Sequence, residues 1–157
     1  MMRAETKKNI GKVTIRVLFV AYLIVLAYFL FFSERYGRGS NQDYNYNLVP
    51  FQEIKRFIHN RQYLGVEAFV VNLFGNVLAF IPYGFFVPMV SKANRQFLSV
   101  ALYSLEFSLG IELVQLSFRV GTFDVDDLFL NTLGGALGYV LFVIQRKKLG
   151  SWEGDEV

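Results

Sequence analysis

Glu112, Gln115 and Arg119 stand at i, i+3 and i+7, so on a helix they share one stripe. Asp127, Asn131, Gly134 and Gly138 stand at i, i+4, i+7 and i+11 and form a second stripe. Asn72 and Asn76 are an i, i+4 pair in an earlier apolar run, and Asp124 and Asp126 lie just ahead of Asp127. Carboxylates beside an arginine can grip a polar head group through charge-assisted hydrogen bonds, move protons, or hold Mg²⁺. The amides can orient a ligand, or they can bond helix to helix. The plainer reading is that these groups satisfy one another and that Arg119 pairs with the aspartates.

The elements that must position them are apolar. The chain of 157 residues is 54% hydrophobic and 18% charged, which suits a surface in lipid better than a soluble domain of this length. A bilayer core needs roughly 20 apolar residues in a helix. Four runs qualify, at about 13–32, 66–90, 97–118 and 127–145. The first follows a basic segment, but it is too long for a secretory signal and no small-x-small cleavage site follows, so it reads as a retained span. The expected fold is an all-α membrane protein of one domain, with four transmembrane helices. Pro50 and the spacing of Phe51, Ile54, Phe57 and Ile58 against Glu53, Lys55 and Arg56 predict an amphipathic helix at about 50–60, on the outer surface between spans one and two. It either packs over the bundle or serves as a lid over a polar site. Residues 33–46 read as loop, and the tail 150–157 as a short polar end.

Basic residues mark the cytoplasmic side. Arg3, Lys7, Lys8, Lys12 and Arg16 precede or open span one, Lys92 and Arg95 lie between spans two and three, and Arg146, Lys147 and Lys148 follow span four. Both termini are therefore expected in the cytoplasm, with the Asp-rich turn outside. On that topology Asn72, Glu112 and Asn131 lie within about 10 Å of the outer ends of their helices. A charge in the membrane costs at least about 2.5 kcal/mol, so scattered accidents are a poor explanation. The expectation is a polar pocket open to the outside, lined by Asn72, Asn76, Glu112, Gln115, Arg119, Asp124, Asp126, Asp127 and Asn131. Glu106 lies about 120° around the helix from Glu112 and near mid-membrane, so it stands apart, as a proton-coupling group or a partner of Tyr103 or of a polar group on another span. Gly134 and Gly138 form a G-x-x-x-G pair that permits close helix approach. Pro82 and Gly84 predict a kink in span two.

Other chemistry is excluded by what is missing. The chain has no Cys, hence no disulfide, thiol nucleophile or thiolate metal site, and its one His, His59, forms no cluster. No cofactor or metal is expected. The net charge of +3 leaves no nucleic-acid footprint.

Taken together, Asn47-Leu48-Val49-Pro50-Phe51, Asn72-x3-Asn76-x3-Phe80-x-Pro82-x-Gly84, Glu112-x2-Gln115 and Phe123-Asp124-Val125-Asp126-Asp127-x3-Asn131-x2-Gly134-x3-Gly138 resemble the VanZ-like membrane proteins, over about 47–139. The resemblance implies a multi-pass protein of the bacterial cytoplasmic membrane, associated with resistance to teicoplanin, a lipoglycopeptide antibiotic. It implies no particular reaction. Three readings follow. The first is a non-enzymatic protein that holds the head group of a membrane lipid, a lipid-linked cell-wall precursor or the lipoglycopeptide, with Arg119 on an anionic group. The second is an intramembrane enzyme on a lipid substrate, against which stand the absence of His in the bundle, of Cys and of a nucleophile motif. The third is a proton-coupled transporter or flippase subunit using Glu106 and Glu112, which needs a homo-oligomer to provide a path.

Overall fold

The apolar runs become helices whose ends are set by charge and by capping. The computed structural model describes residues 2–32, 44–64, 66–91 and 95–148. In chain order the elements are α1 (Met2–Phe32), β1 (Tyr46–Asn47), α2 (Gln52–His59), α3 (Arg61–Leu64), α4 (Val66–Val90), α5 (Phe97–Phe118), β2 (Phe123–Asp124) and α6 (Val125–Lys148). Residues 33–43, Lys92 and the tail 150–157, on which earlier expectations fell, lie outside the described residues.

Four of these helices are long and apolar enough to cross a membrane, through Asn9–Phe31, Val70–Val90, Phe97–Phe118 and Val125–Lys148. Their outward faces carry bare aliphatic side chains such as Ile24, Leu78 and Leu98, which water would penalise and lipid does not. The boundaries of α4 and α5 match the expected runs. The helix α1 starts earlier than its apolar stretch, because Arg, Lys, Glu and Ala are good helix formers and extend it. The helix α6 starts two residues before the expected span and ends beyond it. Asp126 and Asp127 fall in its first turn and Arg146, Lys147 and Lys148 in its last, a charge placement that complements the helix dipole. Both Pro82 and Pro88 lie within α4, which is helical throughout.

The core is a seam of small residues where α4, α5 and α6 meet. A Cβ on Gly138 would fall onto the Ile81 carbonyl oxygen, one on Gly134 onto the Val77 carbonyl, and one on Gly84 onto the Gly135 carbonyl. The G-x-x-x-G pair is thus a true backbone-to-backbone approach. Ser104, fully buried against Gly135, returns its hydroxyl to the Val100 carbonyl at 2.8 Å, so its own polar group is satisfied there. Phe107 of α5 stacks on Tyr83 of α4 at 4.7 Å. The helix α1 packs on α4 through Phe19, Tyr22 and Phe86, and the Tyr22 hydroxyl donates to the Ala79 carbonyl at 2.7 Å. At one end of the bundle Tyr139 donates to the Arg95 carbonyl at 2.8 Å, tying the turn before α5 to α6. The opposite end, where α5 stops and α6 begins, carries β1, α2 and β2.

Candidate functional site

Asp124 organises that end. Its Oδ1 accepts from the Asp126 N–H at 2.8 Å, which caps the start of α6, and from Asn47 Nδ2 at 3.1 Å. The Asp124 N–H donates to Glu112 Oε2 at 3.0 Å, so the buried glutamate of α5 holds the chain as it enters α6. Asn47 is itself fixed by accepting the Val49 N–H at 3.1 Å. Tyr46 and Asn47 pair in parallel with Phe123 and Asp124, and the Phe123 N–H donates to the Asn45 carbonyl at 3.0 Å. This pair corrects the loop reading of residue 46. Two segments far apart in sequence are clamped into a short ribbon.

Asp126 reaches in the other direction. Its two carboxylate oxygens accept the backbone N–H groups of Phe51 and Ile54, the second at 3.1 Å. Those are donors that a helix N-terminus leaves unmet. Phe51 is the N-cap of α2, with no side-chain hydrogen bond of its own and a φ of 63°. A left-handed conformation costs an ordinary residue roughly 1–2 kcal/mol. The Asp126 bonds and the stacking of Phe51 on Phe129, at 5.7 Å between ring centres, offset that cost. Asp126 is 1% exposed and acts by positioning α2.

Beneath α2 lies a cavity of about 380 Å³, within the ~300–1,000 Å³ typical of small-molecule sites. All the residues expected to share a pocket line it: Asn72 and Asn76 from α4, Glu112 and Gln115 from α5, Arg119 after α5, and Asp124, Asp126, Asp127 and Asn131 around the start of α6. Asn76 donates from Nδ2 to Asp127 Oδ1, bridging α4 and α6. Gln115 donates from Nε2 to the Leu30 carbonyl at 2.9 Å, bringing the end of α1 against α5. Asn131 donates from Nδ2 to Ser108 Oγ at 2.8 Å.

Arg119 ends α5 in a left-handed conformation, φ 55°, where glycine is the usual residue. Its guanidinium lies 4.5 Å from the centre of the Tyr44 ring, a cation–π contact at the exposed side of the cavity. Burial pushes the Asp124 carboxyl above its ordinary range. The Asp126 N–H counteracts this, the Asp126 charge adds to it, the Asn47 amide lowers it again and Glu53 raises it.

Sequence reasoning missed part of the lining. Asn45, Glu53 and Arg56 also face the cavity, with Glu53 and Arg56 paired at 2.9 Å. Helical spacing put Glu53 and Arg56 on the water face of an outer helix. Residues 52–59 are indeed helical, but Glu53, Ile54, Arg56 and Phe57 line the cavity while Ile58 is half exposed. Periodicity defines a face without saying which way it turns. Glu106 is exposed on α5 and away from the cavity lining.

No solved structure gives a significant match. Protein VanZ of Enterococcus faecium is 29% identical over 150 residues, covering 94% of this chain and 84% of that protein. The profile of the VanZ/LLP1 family matches residues 19–146, the stretch that contains both the glycine seam and the cavity, and the chain belongs to that family.

Proposed function

We propose that the chain contributes to resistance to teicoplanin-type lipoglycopeptides by holding a polar head group in the cavity beneath α2. The head group belongs to a membrane lipid, a lipid-linked cell-wall precursor or the antibiotic itself. The reading is carried by one observation: side chains from α4, α5 and α6 that would be costly alone in lipid converge on a single cavity of about 380 Å³. Arg119, exposed at its side, is the contact for an anionic group, and the amides orient the ligand. Kinship to Protein VanZ supports the resistance context. The chemistry needed is recognition. Asp126 and Asp124 are engaged with backbone N–H groups, as expected of supports.

The protein sits in the bacterial cytoplasmic membrane with both termini inside and the cavity outside. Arg146, Lys147 and Lys148 at the end of α6 support this orientation. Because the chain has no Cys, a single Thr122→Cys or Lys148→Cys substitution gives a clean label. An impermeant maleimide should react with Cys at 122 in intact cells and at 148 only after permeabilisation. The reverse pattern contradicts the topology. For the function, Arg119→Ala and Asp127→Ala should abolish resistance in a bacterial host while leaving membrane levels normal. Full resistance in both variants refutes the binding reading.

A further inference from the structure

The hydrogen-bond inventory of the cavity is lopsided. At its deep end Asn131, 3% exposed, uses Nδ2 on Ser108, and its Oδ1 has no partner among the described residues. A buried acceptor left unmet forfeits the solvation it had in water. No hydrogen bond from a neighbouring side chain reaches that oxygen among the described residues. The Nδ2 of Asn76 is engaged by Asp127, and the Nε2 of Gln115 by the Leu30 carbonyl. Asp127 and Glu112 add carboxyl oxygens, which accept the Asn76 amide and the Asp124 N–H. The guanidinium of Arg119 lies at the other, exposed side. The cavity therefore presents an unmet acceptor at depth and a cation at its mouth.

We infer that the cavity selects a head group whose inserted end carries N–H or O–H donors, a primary ammonium or a hydroxyl, with an anionic group behind it at Arg119. A head group ending in methyl groups has the same phosphate but nothing to give Asn131 Oδ1, and would leave that buried acceptor unmet. This inference rests on the head-group reading above and goes further by naming what the head group must carry.

The test uses the full purified chain in nanodiscs of matched acyl composition, with retained lipid counted by native mass spectrometry. The probes are phosphatidylethanolamine, its mono- and dimethyl forms, phosphatidylcholine and phosphatidylglycerol. The first four share charge and phosphate and differ in N–H count. Retention should fall along that series, with about a tenfold gap between its ends, the size of one charge-assisted hydrogen bond. Phosphatidylglycerol retained above phosphatidylcholine extends the selectivity to hydroxyl donors, and phosphatidylglycerol retained no better narrows it to ammonium. Asn131→Leu should flatten the series, and since the series is also read on the unaltered protein, the result does not depend on that variant folding. Phosphatidylcholine held as tightly as phosphatidylethanolamine overturns the selectivity and leaves head-group binding standing. Retention of none of these lipids overturns the selectivity and the phospholipid form of the binding reading together.

Discussion

Around Gly84, Gly134, Gly135 and Gly138, α4 and α6 touch backbone to backbone with almost no side chain between them. Toward the start of α6 the same two helices carry Asn76, Asp127 and Asn131 and part around a cavity. The seam is fixed by steric fit, so it tolerates no added volume. The cavity end is fixed by directed hydrogen bonds, many of them donated by backbone N–H groups to carboxylates. The seam sets how far apart the helices stand; the cavity end sets what can lie between them. Damage to the first should cost the fold, and damage to the second should cost local order or recognition.

The largest effect is expected in the seam. Gly138→Leu places a branched side chain where the Ile81 carbonyl already sits, so the helices must separate. Overpacking of this kind costs about 1–3 kcal/mol and sometimes more, and the variant should lose most of its folded population in a detergent unfolding titration. Wild-type stability would show that the seam is not as tight as described. Next comes Asp126→Ala, which strands the N–H groups of Phe51 and Ile54. Both lie part-buried, so each costs at most the roughly 1–3 kcal/mol of a buried unmet donor. The loss should be local: hydrogen exchange should accelerate across α2, with the amides of α4 and α6 near the seam unchanged. Acceleration spread equally over the spans would erase the distinction between the two regions.

The smallest effect concerns pH. The folded Asp124 carboxyl holds its proton to a higher pH than the unfolded one. The folded state then binds more protons in the window between the ordinary value of 3.8 and the raised folded value, so stability falls as pH rises through that window and is level above it. Asp124→Asn keeps an acceptor for Asn47 and for the Asp126 N–H and removes the charge, so its melting temperature should lack this slope. An identical slope in the variant would assign the pH dependence to another group.

These contrasts also explain which features could be read in the sequence. The ends of α4 and α5 were legible because apolar runs stop at charged or loop-forming residues. Gly134 and Gly138 announced the seam by spacing alone. The polar lining was legible from two independent constraints, helix stripe and depth, which Glu112, Gln115, Asp127 and Asn131 satisfy together. What was hidden depends on contacts between distant segments. The β1–β2 ribbon has two residues per strand and no alternation to betray it. Asp126 caps a helix that begins some 75 positions earlier in the chain, and no local capping pattern can show that. The rotation of α2 that turns Glu53 and Arg56 toward the cavity follows from that remote cap and from the stacking of Phe51 on Phe129. The early start of α1 escaped because hydropathy reports what lipid will accept, whereas helix propensity extends beyond it.

The central claim is that the cavity exists to hold a head group. An experimental structure of the chain purified with its native lipids tests it most directly. The account predicts density for a head group in the cavity, with a donor at about 3 Å from Asn131 Oδ1 and an anionic group beside Arg119. A cavity filled only by ordered water or by an acyl chain, with the identified lipids confined to the outside of the helices, would contradict it.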